Sequence, residues 1–236
     1  MSESAVKHTA LDGSLVEIAS SHDLGVPATT YLFAAQHEFE SGTIPFVREI
    51  ASEFQISQFD EAYELQGGTL YRAARLLEDQ QGDEFLYSLA VWEGTTFSVK
   101  TRVGAQFPSS EVIELFNLFT IQESPTGISL IPRESRGSID YEARVAPSIV
   151  KGLPRLGTLT IRQLTRETAR HLPPWGGYAV AGGQLYKDRP TSQDERQMFT
   201  HVADKAMSSL WPEPDADLSD VVSALSELRV QWSKGG

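Results

Sequence analysis

TLYRAARLLE (69–78), FLYSLAVWE (85–93) and TFSVKTRVG (96–104) decide how this chain is read. In the second stretch Phe85, Tyr87, Leu89 and Val91 fall on one face, with Leu86, Ala90 and Trp92 largely on the other. In the third, Phe97, Val99, Thr101 and Val103 alternate in the same way. Period-two alternation marks a strand with one face buried. The connections DQQGDE (79–84) and Glu93-Gly94-Thr95 are short and polar, so the three strands are expected as an antiparallel meander.

On either side of the meander the pattern changes. Residues 29–39 (TTYLFAAQHEF) are β-branched and aromatic and predict a strand. In 43–57, Phe46, Val47, Ile50 and Phe54 follow helical spacing, with Thr43 as a cap and Pro45 in the first turn. Downstream, Ser109 or Ser110 can cap a helix whose apolar face is Val112, Ile113, Leu115, Phe116 and Phe119. TGISLIP (126–132) predicts a closing strand. Residues 29–132 are thus expected as β-α-β-β-β-α-β. Gly137, Pro147, Gly152, Pro154 and Gly157 make 136–157 the linker candidate.

Beyond the linker, 158–171, 192–210 and about 218–232 all predict helices, bounded by Pro173-Pro174 and Trp211-Pro212. The fold class expected is α+β. An antiparallel sheet with packed helices occupies 1–135, and a mainly helical C-terminal third occupies 158–236, packed as part of one domain or apart from it. No internal repeat of 20–50 residues is evident.

Composition narrows the chemistry. The 236 residues contain no Cys, which excludes disulfides, thiol nucleophiles and cysteine-ligated metal centres. No apolar run approaches the ~18 residues of a membrane span. Residues 1–22 lack the apolar core of a secretory signal, so a cytoplasmic location is expected. The net charge of −12 is uneven. Residues 1–150 hold 9 Lys+Arg against 22 Asp+Glu, whereas 151–205 hold 9 against 5. An acidic chain is repelled by nucleic acid, so a protein partner is the expected one.

No chemistry-bearing motif survives inspection. His8, His22, His37, His171 and His201 show no metal-ligand spacing, and neither a phosphate-binding loop nor a nucleophile elbow is present. No metal and no cofactor are expected. Three surface candidates remain. Arg162, Arg166 and Arg170 repeat every four residues and would line one face of a helix. Trp175 and Tyr178 stand in a rigid HLPPWGGY turn, an aromatic pair suited to an interface. Leu218, Val221, Leu225, Leu228 and Trp232 form a 3-4-3-4 seam for docking on this chain, on a partner or on a second copy.

Residues 85–132, with FLYSLAVWEGTTFSVKTRVG followed by PSSEVIELFNLFTIQESP, resemble the sheet-and-last-helix segment of the Mog1/PsbP-like (LpqN-type) α/β/α modules. That resemblance implies a compact module that binds proteins or assists assembly, and carries over no catalytic residue. The leading expectation is a non-enzymatic protein-binding or assembly module. The alternatives are an enzyme with its site around Arg170, His171, Trp175 and Tyr178, and an acidic nucleic-acid mimic that occupies a basic protein.

Overall fold

The computed structural model describes residues 4–24, 28–45, 48–49, 59–78, 84–104, 106–133, 145–187 and 197–234. The chain divides into two compact units. A central unit comprises 11–13 and 30–145, and a terminal unit comprises 1–10, 14–29 and 146–236.

The central unit contains the expected meander. Strands β6 (Gly68–Glu78), β7 (Glu84–Glu93) and β8 (Phe97–Gly104) pair antiparallel, with Leu70 opposite Trp92 and Trp92 opposite Val99. The hairpin of β3 (Thr29–Ala34) and β4 (His37–Thr43) joins at β8, and β5 (Glu61–Leu65) closes the far edge. The order is β3-β4-β8-β7-β6-β5. Helix α1 (Ser109–Asn117) buries Val112, Leu115 and Phe116. They join a core of Leu32, Phe39, Trp92, Val99 and Phe119, in which the Phe39 ring meets Phe116 and Phe119 edge-on. A hairpin of β9 (Phe119–Ser124) and β10 (Gly127–Pro132) completes the unit.

The terminal unit has the same topology. Strands β11 (Val145–Leu153), β12 (Gly157–Gln163), β13 (Tyr178–Val180), β14 (Gly183–Lys187), β15 (Phe199–Val202) and β16 (Ala206–Pro212) lie in the order β11-β12-β16-β15-β14-β13. This repeats β3-β4-β8-β7-β6-β5 strand for strand. Helix α2 (Leu218–Glu227) follows, then β17 (Arg229–Ser233). In the central unit β9 pairs with the next strand in sequence. Here β17 pairs with β2 (Leu15–Ser20), which is also paired to β1 (Ser4–Thr9), so the N-terminal hairpin completes the C-terminal repeat.

The duplication is written in the sequence at a spacing longer than 50 residues. YELQGGTLYR (63–72) recurs as YAVAGGQLYK (178–187), and SEVIELFNLFTIQES (110–124) aligns with SDVVSALSELRVQWS (219–233). Trp92 in one unit corresponds to His201 in the other, and Val99 to Ser208, by the strand registers.

The α+β expectation with a mainly helical C-terminal third is therefore corrected. Among the described residues the protein is predominantly β, built of large antiparallel sheets with the short helices α1 and α2. Residues 157–163 form β12 because Gly157, Leu159 and Ile161 are buried while Thr158 and Arg162 are exposed. That is period-two alternation, and it prevails over the arginine spacing. Residues 199–202 and 206–212 are strands rather than the expected helix over 192–210, part of which lies outside the described residues. The last helix stops at Glu227, since Leu228, Val230 and Trp232 are buried at alternate positions of an extended segment. Of the helix expected at 43–57, residues 46–47 and 50–57 lie outside the described residues, and 44–45 and 48–49 are helical. Residues 136–144 of the linker candidate lie outside them as well, and 145–157 hold β11, a turn and the start of β12.

The repeated Gly-Gly has a steric cause. A Cβ on Gly68 would stand 2.4 Å from the Glu93 carbonyl oxygen, and one on Gly183 would stand 1.9 Å from that of Val202. Both backbones pass directly over the next hairpin, and Gly183 also has φ +154°, in the range that favours glycine. Gly183→Ala is expected to lose about 2–4 kcal/mol of stability in chemical denaturation. Gly176→Ala, where a Cβ meets nothing within 4 Å, is expected to stay within about 0.5 kcal/mol of the parent.

Candidate functional site

The three arginines do not share a helix face. Arg162 sits on β12, Arg166 follows in a turn, and Arg170 lies in a short 3-10 helix, Thr168–His171. All three are exposed, and none has an ion-pair partner among the described residues. The segment that carries them is anchored from below. Leu164 N–H donates to the Lys205 carbonyl at 2.9 Å, Thr168 Oγ1 donates to the Gln163 carbonyl at 2.9 Å, and Thr165 N–H donates to Thr168 Oγ1 at 2.7 Å.

Trp175 and Tyr178 continue the same exposed stretch, at 38% and 78% exposure. Tyr178 opens β13, the outermost strand of its sheet, and its hydroxyl has no hydrogen-bond partner among the described residues. Its match in the central unit, Tyr63, is half-buried and donates to the Glu61 carboxylate. Glu61 is also held by Arg72 at 2.7 Å and by the Ser109 hydroxyl, so that edge is tied to its own unit. Of the seam residues, only Leu218 is exposed. Val221, Leu225, Leu228 and Trp232 are buried in the core of the terminal unit and are not available to a partner.

Two further polar places were not singled out from the sequence. On the central sheet a cleft of about 290 Å³ is lined by Glu38, Glu40, Leu89, Lys100, Thr101 and Arg102. Glu40 faces Lys100 across β4 and β8, with Nζ 3.0 Å from the carboxylate and both side chains largely buried. Burial, together with Glu40 and Glu38, pushes the Tyr31 hydroxyl up to about 12. Tyr31 therefore stays protonated beside Glu40. These groups largely satisfy one another, which makes the cleft a buried ion pair rather than an open receptor. In the terminal unit a cavity of about 360 Å³ is lined by Leu15, Glu17, Asp204, Lys205, Val230, Gln231, Trp232 and Ser233.

Burial shifts three titratable groups of the terminal unit, the interior His201 and Lys151 and the half-buried His8. His201 is fully buried opposite Ser208, and neither ring nitrogen has a partner among the described residues. Burial lowers its pKa to about 4. His8 is also lowered to about 4, by burial and then by the nearby Lys151 ammonium. Lys151 is itself pushed down by burial, against an opposing pull from Asp23. Among the described residues no group of three His, Cys, Asp or Glu side chains could hold a metal ion.

Both histidines fold neutral, whereas the unfolded chain takes up protons near pH 6.5. Their stabilising contribution is full above about pH 6.5 and is lost as pH falls toward the folded value near 4. Thermal unfolding is expected to show a steeper loss of stability between these limits for the parent than for His201→Phe, which retains only the His8 contribution. Identical pH profiles would count against a neutral buried His201. No family model matches the chain, and no match is found among curated proteins or solved structures.

Proposed function

We propose that this chain is a non-enzymatic protein-binding module of the cytoplasm, and that its contact face is the 162–178 segment. The observation that carries the reading is the combination on that segment. Three exposed arginines without ion-pair partners among the described residues stand in sequence with exposed Trp175 and Tyr178. Arg, Trp and Tyr are the residues that most often dominate interface energetics. The turn's own hydrogen bonds limit the ordering cost of binding. The net charge of −12 resides chiefly before residue 151, so this segment is the part of the chain that attracts an acidic protein surface. Among the described residues no helix is long and apolar enough to cross a membrane. The resemblance of 85–132 to Mog1/PsbP-like binding modules agrees with this reading.

Affinity purification at moderate salt, followed by titration with the partner recovered, tests it. Trp175→Ala and Arg166→Ala are both exposed changes and are expected to leave the melting temperature unchanged. Each is expected to weaken partner binding at least about tenfold, a difference of roughly 1.4 kcal/mol. Retention of the partner at parental affinity by both variants would reject this face.

A further inference from the structure

We propose that the open edge of β13 takes an acidic, extended segment of a partner protein as an added strand, with the Gly177 and Ala179 backbones bonding to it and Arg166, Arg170 and Lys187 meeting its carboxylates. The inference deepens the reading of the 162–178 face and rests on it.

Strand register decides which backbone groups are free. Val180 stands opposite Gly183 across a two-residue turn, Ala179 opposite Gln184 and Tyr178 opposite Leu185. The pair that closes a two-residue hairpin is hydrogen-bonded, and bonded pairs alternate with unbonded ones along an antiparallel ladder. Val180 and Tyr178 therefore bond to β14, and Ala179 turns its N–H and C=O away from the sheet. Continued by one residue, the register sets Gly177 against Tyr186, and a Cβ on Gly177 would indeed stand 2.9 Å from the Tyr186 ring. Its N–H and C=O then face outward like those of Ala179. β13 is the outermost strand of its sheet, and neither residue has a partner on that side among the described residues. The edge closes only at Ala181, whose N–H donates to the Ser226 carbonyl at 3.3 Å.

The central unit holds a protected version of this edge. By the alignment of Tyr63 with Tyr178, Glu64 stands where Ala179 does. β5 also carries Glu61, which Arg72 and the Ser109 hydroxyl hold. Charge on an outermost strand opposes the addition of another. β13 carries no carboxylate, and its Tyr178 and Ala179 are exposed.

Charge selects the occupant. Between 164 and 187 the chain has Arg166, Arg170 and Lys187 against Glu167 alone. All four are exposed, and none has an ion-pair partner among the described residues. Cations flanking an edge without carboxylates favour an acidic strand. The open edge is short, so the cations supply the attraction and the backbone bonds fix the direction of the added chain. A second copy offers an acidic strand in β5, but its Glu61 is already taken up by Arg72 and Ser109.

Amide NMR of the intact chain, titrated with acetyl-Thr-Glu-Val-Glu-Thr-Glu-amide, tests the edge. The controls are the same peptide N-methylated at alternate residues, which keeps the charge but cannot complete a ladder, and its Lys-for-Glu counterpart. The Gly177 and Ala179 amides are expected to shift saturably and to gain protection from exchange, while the Trp92 indole stays fixed. The N-methylated peptide is expected to bind at least about tenfold more weakly, and the Lys peptide not at all. Ala179→Pro removes only an outward N–H, which an edge strand tolerates, and Ala179→Glu restores the charge that β5 has. Both are expected to keep the parent spectrum away from β13 and to weaken the peptide about tenfold. No saturable shift at Ala179, equal binding of the N-methylated peptide, or undiminished binding in both Ala179 variants would overturn the proposal. So would shifts at Ala179 that grow with protein concentration without peptide, since the occupant would then be a second copy. Loss in Trp175→Ala and Arg166→Ala with none in the Ala179 variants would remove the added strand and leave the 162–178 face standing. The converse pattern would keep the strand and reject the wider face.

Discussion

The second glycine of each Gly-Gly pair lies so close to a carbonyl of the adjacent hairpin that no side chain fits between them, at Gly68 over Glu93 and at Gly183 over Val202. That approach fixes the register of the hairpin that follows. In a sheet, a one-residue slip would turn every side chain to the opposite face. With the register fixed, Leu70, Trp92 and Val99 line up under α1 in one unit, and Leu185, His201 and Ser208 occupy the matching row in the other. The core, the edge strand and the turn that Glu123 caps all inherit their positions from this contact.

On that shared frame the two units differ in how their polar groups are satisfied. In the central unit the Trp92 indole donates to the Leu65 carbonyl at 2.7 Å, Tyr63 donates to Glu61, and Glu123 caps a turn. At the three matching positions of the terminal unit, His201 has no partner on either nitrogen among the described residues, Tyr178 is exposed, and the Trp232 N–H has none among them either. Buried polar groups are ordinarily paired, and unsatisfied ones are characteristic of sites adapted to something other than stability. At these three positions the central unit ties its polar groups to itself, and the terminal unit does not. The basic segment lies in the terminal unit as well, so the charge asymmetry of the sequence and the asymmetry of polar satisfaction coincide.

The meander over 69–104, the helix at 109–117 and the closing strand at 127–132 were legible because each has an unbroken period of two or of 3.6 and a clear turn at its ends. The C-terminal third was misread for a physical reason. Arg162, Arg166 and Arg170 fall at helical spacing by coincidence, while the buried positions of the same stretch, Leu159 and Ile161, alternate. In 218–232 a genuine helix runs directly into a strand, and Leu228 and Trp232 happen to extend the helical count. The duplication has a longer period than the 20–50 residues of solenoid repeats: the Tyr-x-x-x-Gly-Gly-x-Leu-Tyr pattern recurs 115 positions on, from Tyr63 to Tyr178. The exposed Arg162, Arg166 and Arg170 stood out by a helical spacing that the strand and turn do not follow, and Trp175 and Tyr178 by residue type in a rigid turn. Glu123 and Lys100 carried no local signal, since each owes its role to a partner distant in sequence.

Native-state hydrogen exchange at the β7–β8 and β15–β16 turns, which the repeated strand order matches, tests most directly the claim that one unit ties its polar groups to itself and the other does not. The amides of Thr95 and Thr96, held by Glu123, are predicted to exchange far more slowly than those of Asp204 and Lys205 in the same molecule. Equal protection at the two turns would contradict the account.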